Sequence, residues 1–315
     1  MVQNYSLSDL QKIQLFLEDT IKTKIEIVEG GISLNDFGND YLNYIFNNFS
    51  SSYHRSVSLT INHFTKFFSN DIKLSSIGVK EAESFKSYVI KSASRGYLVY
   101  LRNAKAMFNV AISWELLESN PFCKIKFGRK QTLLPVFFNV GELENILTAT
   151  KDPIFQDLFT FAFYTGTRLS EIINLRWSNI NLQNREIVIG DKDFTTKSKK
   201  QRTIPMCNRV YDILERKHKN DSFEFVFHKP NGFRFCKHYV SRKFKNICRQ
   251  ANLPHEIHFH SLRHSFGSFL AKNGVPIHII KELLGHSTIR VTEIYLHTIS
   301  TDLHKAIETF NSNNT

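Results

Sequence analysis

The apolar residues between about positions 35 and 120 recur three and four apart, and two prolines then interrupt the pattern. This spacing places apolar side chains on one face of a helix, so this part of the chain predicts a compact bundle of roughly four helices. Pro121 and Pro135 bracket a basic stretch in which the periodicity stops. Because 315 residues exceed the size at which one hydrophobic core usually keeps growing, we expect two domains that meet near this break.

A second helical domain begins at Asn139, which can cap a helix while Glu142 completes a capping box. The middle of this domain differs, because apolar and polar residues alternate over 187–189 and again over 203–204. Alternation of this kind predicts a small antiparallel sheet with a basic turn. Further helices are expected at 207–219, 236–251, 261–273, 276–284, 288–297 and 300–311, with a short strand at 223–227.

These patterns predict a mainly α fold with a small antiparallel β-sheet. We expect a helical domain over 35–122, a basic linker over 123–135 and a mixed α+β domain with a C-terminal helix over 136–315. The N-terminal segment 1–34 has no assigned role; it forms either a helix and strand of its own or an additional nucleic-acid-contacting arm.

The chain is strongly basic, with 41 Lys and Arg against 29 Asp and Glu, a net charge of +12 and a pI near 9.4. This charge fits either a polyanionic partner or general solubility. The N-terminus lacks the basic and then apolar run of a signal peptide, and no apolar stretch approaches the roughly 20 residues that span a bilayer. The four cysteines are too far apart for a CxxC motif, so we expect a cytoplasmic protein with reduced thiols.

Several motifs of cofactor-dependent enzymes are missing from the sequence. It contains no GxxxxGK[ST] loop, no HExxH motif and no carboxylate spacing that predicts a Mg²⁺ site. His260 and His264 share a helix face, but the sequence indicates no third zinc ligand. We therefore expect neither a metal nor a cofactor.

Basic side chains dominate the remaining candidates. Arg168 lies at the first turn of a predicted helix, where Glu171 could orient its guanidinium, although a surface helix pair would have the same spacing. His260, Arg263 and His264 are expected on one helix face, and an arginine beside a histidine suits a phosphate group.

Two further basic clusters could contact a phosphate backbone, or could simply be solvated loops. One lies in the predicted hairpin turn and the other in the linker. Their members are Lys197, Lys199, Lys200 and Arg202 in the turn, and Lys124, Lys126, Arg129 and Lys130 in the linker. Tyr295 follows His286 by nine residues, and taken alone it would be read as a packing residue.

Four segments occur together and in a fixed order: TGTRLSEIINLRW, TKSKKQRTIP, HSLRHSF and LGHSTIRVTEIY. In this combination the chain resembles the tyrosine recombinase family, also called the phage integrase family. The resemblance is close over about 136–310, while the upstream bundle is more loosely similar to the family's SAM-like core-binding domain. It implies a site-specific recombinase that cleaves and rejoins DNA strands without ATP or metal.

The resemblance also implies roles for individual residues. Arg168 and Arg263 would bind the scissile phosphate, and Tyr295 would attack it to form a 3′-phosphotyrosyl intermediate. Because a phenol has a pKa near 10, the attack needs a proton acceptor, for which His260 is the candidate. The leaving 5′ oxygen needs a proton, for which Lys197 is the candidate. His286 corresponds to the family's second histidine.

The implied partner is a double-stranded DNA recombination site in the nucleoid, and strand exchange would proceed through a four-way junction. Four protomers would assemble on two sites, with accessory DNA-bending proteins as further partners. The helix at 300–311 would either link protomers or fold back on its own domain. The alternatives are a type IB topoisomerase-like enzyme and a catalytically silent DNA-binding protein; a metal-dependent nuclease conflicts with the missing carboxylates. Integration, excision, inversion and dimer resolution all remain open as the biological task.

Overall fold

The computed structural model describes residues 31–69, 71–94, 96–128, 136–190, 201–220 and 222–298. The chain divides into two compact units, Met1–Gln131 and Thr132–Thr315. The predicted N-terminal segment is thus almost wholly outside the described residues.

The described part of the first unit contains four α-helices, as the periodicity predicts. They are α1 (Leu34–Asn48), α2 (Ser51–Phe67), α3 (Val79–Ser92) and α4 (Tyr97–Ser113), with short 3₁₀ turns at Leu74–Ser76 and Pro121–Cys123.

Aromatic packing holds the first unit together. Along α1, Phe37 and Tyr41 lie one turn apart and are both buried. At the centre, the rings of Phe64 and Phe85 stack with centroids 4.2 Å apart and planes 9° apart. Such offset aromatic contacts add to the stabilisation that burial of the rings already provides.

Along the chain, the second unit has helices before and after a small sheet. Its described elements are α5 (Val140–Ala149), α6 (Pro153–Thr165), α7 (Leu169–Ile172), β1 (Ile180–Asn181), β2 (Glu186–Ile189), β3 (Arg202–Pro205), α8 (Asn208–Asn220), α9 (Lys237–Gln250), α10 (Phe259–Lys272) and α11 (Ile277–Leu284). At the start of α5, Asn139 and Glu142 form the predicted capping box. Within the described stretches, the structure contains no helix that is both long and apolar enough to cross a bilayer.

Helix α6 lies at the centre of the second unit's core. Asp152 caps its N-terminus and Pro153 occupies the first turn, where a missing N–H is harmless. Its buried side chains lie on most of its faces, which is typical of a helix surrounded by other elements. Helices α8 and α10 both pack against it. The end of α6 is therefore a fixed point from which the following turn extends.

The sheet has the antiparallel order β1-β2-β3. Ile187 lies opposite Ile204, and both side chains are buried against the core. This register confirms the predicted hairpin, while β1 is a short addition that the sequence pattern does not indicate. Residues 191–200, which join β2 to β3, lie outside the described part of the chain.

Two predicted elements are wrong. The segment 288–297 is expected to be an α-helix but contains two 3₁₀ turns, Ile289–Val291 and Glu293–Thr298. The expected strand at 223–227 is instead an irregular segment with a single bridge, between Phe225 and Arg176. The predicted helix at 300–311 lies outside the described residues.

Candidate active site

A tight turn after α6 presents the first arginine. Gly166 ends the helix with a φ of 62°, in the left-handed region that favours glycine. A Cβ atom here would lie 2.4 Å from the ring of Phe266. Arg168 is the N-cap residue of α7, and its backbone N–H and Nη1 donate to the carboxylate of Glu171 over 2.8 and 2.9 Å. Its Nη2 donates to the carbonyl of Gly285 over 3.2 Å.

Glu171 is a buried carboxylate that binds two arginines. Arg202 donates from Nη2 to Oε2 over 2.7 Å and from Nη1 to Oε1 over 3.2 Å. Burial alone would raise the pKa of Glu171, but the hydrogen bond and charge of Arg202, together with Arg168, lower it below its usual range. Glu171 therefore remains ionised and fixes both guanidinium groups.

Arg202 is expected in the hairpin turn among the candidate DNA contacts, but the structure places it at the start of β3. Its side chain is only 8% exposed, and its Nε donates to the carbonyl of Leu283 over 2.9 Å. Because Glu171 and this carbonyl engage its guanidinium, Arg202 supports the site from inside the unit. A position beside a run of lysines does not reveal such burial.

Arg263 is buried on α10, with 1% of the residue exposed. Its Nη1 donates to the carbonyl of Gly166 over 2.8 Å, and its Nη2 donates to the carbonyl of Leu284. Its buried Nε has no hydrogen-bond partner among the described residues. Burial, and then the charge of Arg168, lower the pKa of Arg263 to about 9, so the side chain is still protonated at neutral pH. The cluster thus contains a buried cationic donor.

The charges of this cluster do not cancel. The carboxylate of Glu171 pairs with Arg168 and Arg202, while the guanidinium of Arg263 donates to backbone carbonyls. Three positive groups therefore face one carboxylate, which leaves a surplus of two positive charges. A preorganised positive cluster of this kind stabilises an anion, and stabilises it more as negative charge increases in a transition state.

Three histidines lie around the arginines. His260 and His264 are one turn apart on α10, with ring centroids 4.7 Å apart and planes 85° apart. Nδ1 of His286 lies 2.9 Å from Oγ1 of Thr292, which is fully buried. Desolvation, reinforced by nearby positive charges, lowers the pKa of His260 to about 3, of His264 to about 4 and of His286 to about 3. All three rings are therefore neutral at pH 7.

Tyr295 lies in the 3₁₀ turn Glu293–Thr298 and is only 2% exposed. Its hydroxyl lies 3.1 Å from Nδ1 of His264. Its ring is nearly parallel to that of His286, with centroids 6.4 Å apart and planes 13° apart. On the α10 side, a Cβ atom at Gly267 would lie 2.7 Å from the ring, so glycine leaves the space that the phenol occupies.

Burial determines the ionisation state of the phenol. It raises the pKa of Tyr295 to about 12, although Arg263 and Arg168 act in the opposite direction. Burial thus outweighs the charge of both arginines. The hydroxyl therefore keeps its proton at neutral pH, and any reaction as a nucleophile would need a proton acceptor.

The structure brings Arg168, Arg263, His286 and Tyr295 together, and it places His260 against His264 at the edge of the same cluster. The sequence pattern indicates His264 only as a phosphate or zinc ligand and gives no signal for Thr292. Spacing does reveal His264, since it is one turn from His260, but the contact with Tyr295 depends on the tertiary fold. No group of three or more His, Cys, Asp or Glu side chains with the arrangement of a metal site occurs in the described ranges.

The structure describes only some of the other residues that are predicted to contact DNA. Lys124 and Lys126 follow the last turn of the first unit and are exposed. The remaining predicted basic residues lie outside the described part of the chain: Lys197, Lys199, Lys200, Arg129 and Lys130.

Comparison with known proteins defines the class of this fold and site. The phage integrase family matches residues 137–301, and the phage integrase SAM-like domain matches residues 33–127. The chain therefore belongs to the phage integrase family. It is an enzyme of DNA strand cleavage and rejoining, and its function is site-specific recombination.

Relatives of similar length support this membership. A tyrosine recombinase of Thermosipho africanus is 27% identical over 256 residues, which cover 75% of this chain and 86% of the relative. The tyrosine recombinase XerD of Listeria innocua is 23% identical over 288 residues, which cover 84% of this chain and 94% of the relative.

Solved structures share the fold at lower identity. The Tn1549 transposon integrase in complex with a circular intermediate DNA has a TM-score of 0.76 at 19% identity, covering 89% of this chain and 99% of that one. A lambda integrase tetramer bound to a Holliday junction has a TM-score of 0.73 at 15% identity, covering 91% of this chain and 89% of that one.

Proposed function

We propose that Tyr295 is the nucleophile of the recombination reaction. Its oxygen attacks the scissile phosphorus, the bond from phosphorus to the 5′ oxygen breaks, and the product is a 3′-phosphotyrosyl link with a free 5′ hydroxyl. One observation carries this proposal: the chain brings a buried phenol, two histidines and a cationic cluster together from segments up to 127 positions apart.

The arginines hold the phosphate in this proposal. Arg168 and Arg263 each carry planar donors, which suit the non-bridging oxygens of a phosphodiester. The surplus positive charge around Glu171 increases their effect as the transition state gains negative charge. We assign the role of supporting ion pair to Glu171 and Arg202.

His286 completes the phosphate-binding set, and His260, the proton acceptor that the family resemblance implies, lies against His264 beside it. His286 is neutral, so it can donate through only one nitrogen at a time. When the hydroxyl of Thr292 donates to Nδ1, the proton is on Nε2, and that N–H can donate to a phosphate oxygen. We assign this direction to the contact, so that Thr292 holds His286 in the tautomer that is useful for catalysis.

Lys197 is proposed as the acid that protonates the leaving 5′ oxygen. This assignment rests on the family resemblance of the segment TKSKKQRTIP, with Lys199 and Lys200 as neighbouring DNA contacts. Lys124, Lys126, Arg129 and Lys130 are proposed to bind the DNA backbone, so each should contribute to the salt dependence of binding.

The covalent intermediate conserves the energy of the cleaved phosphodiester, so a 5′ hydroxyl from a second duplex can reseal the strand without a nucleotide. We propose that two such exchanges, through a four-way junction, recombine two sites within the nucleoid of the cytoplasm. The lambda integrase tetramer on a Holliday junction supports an assembly of four protomers. The segment 300–311 is proposed to link neighbouring protomers, and DNA-bending proteins are proposed accessories. The domain limits proposed for DNA binding and catalysis are 35–122 and 136–315.

A nicked suicide substrate that contains the recombination site tests the nucleophile. The wild-type chain should form a covalent adduct that survives a denaturing gel, and Tyr295→Phe should form none. An equal adduct with both proteins would overturn the proposal, as would its absence from a wild-type chain that binds the site.

The same substrate tests the arginines. Arg168→Lys and Arg263→Lys should slow adduct formation by about 10²-fold or more, because lysine lacks the planar fork, while duplex affinity changes far less. Arg209→Lys is the matched control, since Arg209 forms an exposed pair with Glu144. Equal losses of binding and cleavage would argue against a catalytic role for either arginine.

A further inference from the structure

Helix α10 contacts the phenol of Tyr295 at two positions. Arg263 turns inward to the carbonyl of Gly166, and the next residue, His264, directs Nδ1 to the hydroxyl of Tyr295 at 3.1 Å. One turn later, Gly267 provides the bare backbone on which the tyrosine ring lies. His264 and Gly267, one turn apart on the same helix, thus contact the phenol at its oxygen and on its face.

The arrangement distinguishes His264 from His260. The His264 ring lies with its Nδ1 at hydrogen-bond distance from the attacking oxygen, while His260 packs edge-on against that ring. A general base must be within about 2.6–3.2 Å of the proton that it accepts, and His264 meets this requirement in the structure.

We propose that His264 is the catalytic residue that holds the Tyr295 hydroxyl and accepts its proton during attack. The inference rests on the proposed nucleophilic role of Tyr295. The Tyr295 oxygen forms a bond to phosphorus while the phenolic proton moves to Nδ1 of His264, which becomes an imidazolium. The bond from phosphorus to the 5′ oxygen breaks, and that oxygen takes its proton from the proposed leaving-group acid, Lys197. In resealing, His264 returns the proton to the departing tyrosyl oxygen.

The pKa values of His264 and Tyr295 determine when the proton moves. The pKa of His264 is about 4 and that of Tyr295 about 12, so the proton stays on the phenol in the resting site. The largest cause of both shifts is burial, and the charge of Arg263 also lowers both pKa values. A bound phosphodiester places negative charge beside Arg263, and formation of the O–P bond acidifies the phenol. Transfer therefore accompanies attack and does not precede it.

The test uses single-turnover adduct formation with two suicide substrates, one with the natural phosphodiester and one with sulfur in place of the bridging 5′ oxygen. A thiolate leaves without a proton, so the sulfur substrate restores variants that lack the leaving-group acid. His264→Leu removes the acceptor and should lower the rate by about 10²-fold or more on both substrates. Duplex affinity should stay within about threefold.

His264→Asn is a second variant, since its amide can bind the hydroxyl but cannot take up a proton at neutral pH. It should fold, bind DNA and remain slow on both substrates. His278→Leu is the matched control, because His278 is an exposed histidine on α11 outside the cluster. It should react at the wild-type rate.

Two results would overturn the role of His264. One is wild-type cleavage by either folded, DNA-binding variant, and the other is rescue of His264→Leu by the sulfur substrate, which would place His264 on the leaving-group side. Neither result touches the proposed nucleophile. That proposal fails separately, if Tyr295→Phe still forms the adduct.

Discussion

Glu171 and Arg202 form an ion pair that joins the start of α7 to strand β3, with 2.7 Å between Oε2 and Nη2. Both side chains are almost completely buried, at 2% and 8% exposure. The same carboxylate binds Arg168, so one residue sets the position of Arg168 relative to the sheet. Paired burial explains why the charge is tolerated there.

Glu171→Gln should destabilise the second unit by on the order of 3 kcal/mol, because it leaves buried guanidinium groups without a counter-charge. Glu144→Gln is the matched control; it breaks a pair that is about half exposed and should change stability by less than about 1 kcal/mol. The chain has two tryptophans, Trp114 in the first unit and Trp177 in the second. Urea unfolding followed by fluorescence in a Trp114→Phe background therefore reports the second unit. Similar losses for both variants would contradict the structural role of Glu171.

Thr292→Val should slow adduct formation by roughly 10-fold or more, since it leaves Nδ1 of His286 without its hydroxyl partner. The ring proton of His286 is then no longer held on Nε2. Valine has nearly the same shape, so the buried position should remain filled. Thr148→Val, at an exposed site on α5, should have no effect. A wild-type rate for Thr292→Val would show that the contact does not orient His286 for catalysis.

The sulfur-bridged substrate should identify the leaving-group acid among three neighbouring lysines. Lys197→Ala should cleave the natural substrate at least about 10²-fold more slowly and recover on the sulfur substrate. Lys199→Ala and Lys200→Ala should mainly weaken DNA binding at higher salt, without such recovery. Recovery by Lys199→Ala or Lys200→Ala instead would move the assignment to that residue.

Stability of the second unit should fall as the pH decreases from about 7 toward 4. The pKa values of His264 and His286 are about 4 and 3 in the folded chain and near 6.5 in the unfolded chain, so the unfolded chain binds more protons in this window. The stability contributed by the neutral rings is therefore present above pH 6.5 and is lost on acidification. Melting temperatures by circular dichroism should fall less steeply for His286→Gln than for wild type. An unchanged slope would show that His286 is not buried in its neutral form.

Several parts of the fold follow from the residue pattern alone. The helices of the first unit and the pairing of β2 with β3 are predictable because their apolar periodicities, near 3.6 and 2, match the surfaces that they bury. The capping box at Asn139 is equally local, since its partners are three residues apart.

The segment around Tyr295 is not predictable in this way. Its β-branched run, with Thr288, Ile289 and Val291, is a poor helix former, and the contacts of Thr292 with His286 and of Tyr295 with α10 hold it in 3₁₀ turns. Similarly, the segment around Phe225 uses its backbone to pair with the stretch after α7 and does not extend the sheet. Tertiary contacts decide both cases.

Some of the site residues can likewise be found from the sequence, while the roles of others depend on tertiary contacts. The family resemblance leads to Arg168, Arg263, His286 and Tyr295, which the structure brings together. The burial of Arg202 and the contact of His264 with the phenol depend on elements that are 31 positions or more away in the chain. No local pattern encodes them.

The turn at Gly166 has a consequence for the thermodynamics of DNA binding. Its carbonyl oxygen holds Arg263, while the two peptide units that follow it lead directly to Arg168. Both arginines are thus attached to one short piece of rigid backbone, and little rotamer entropy is left for them to lose when a phosphate arrives. With flexible arginines, the entropy lost on ordering the side chains would reduce the binding free energy. Here the side chains are already ordered when the chain folds.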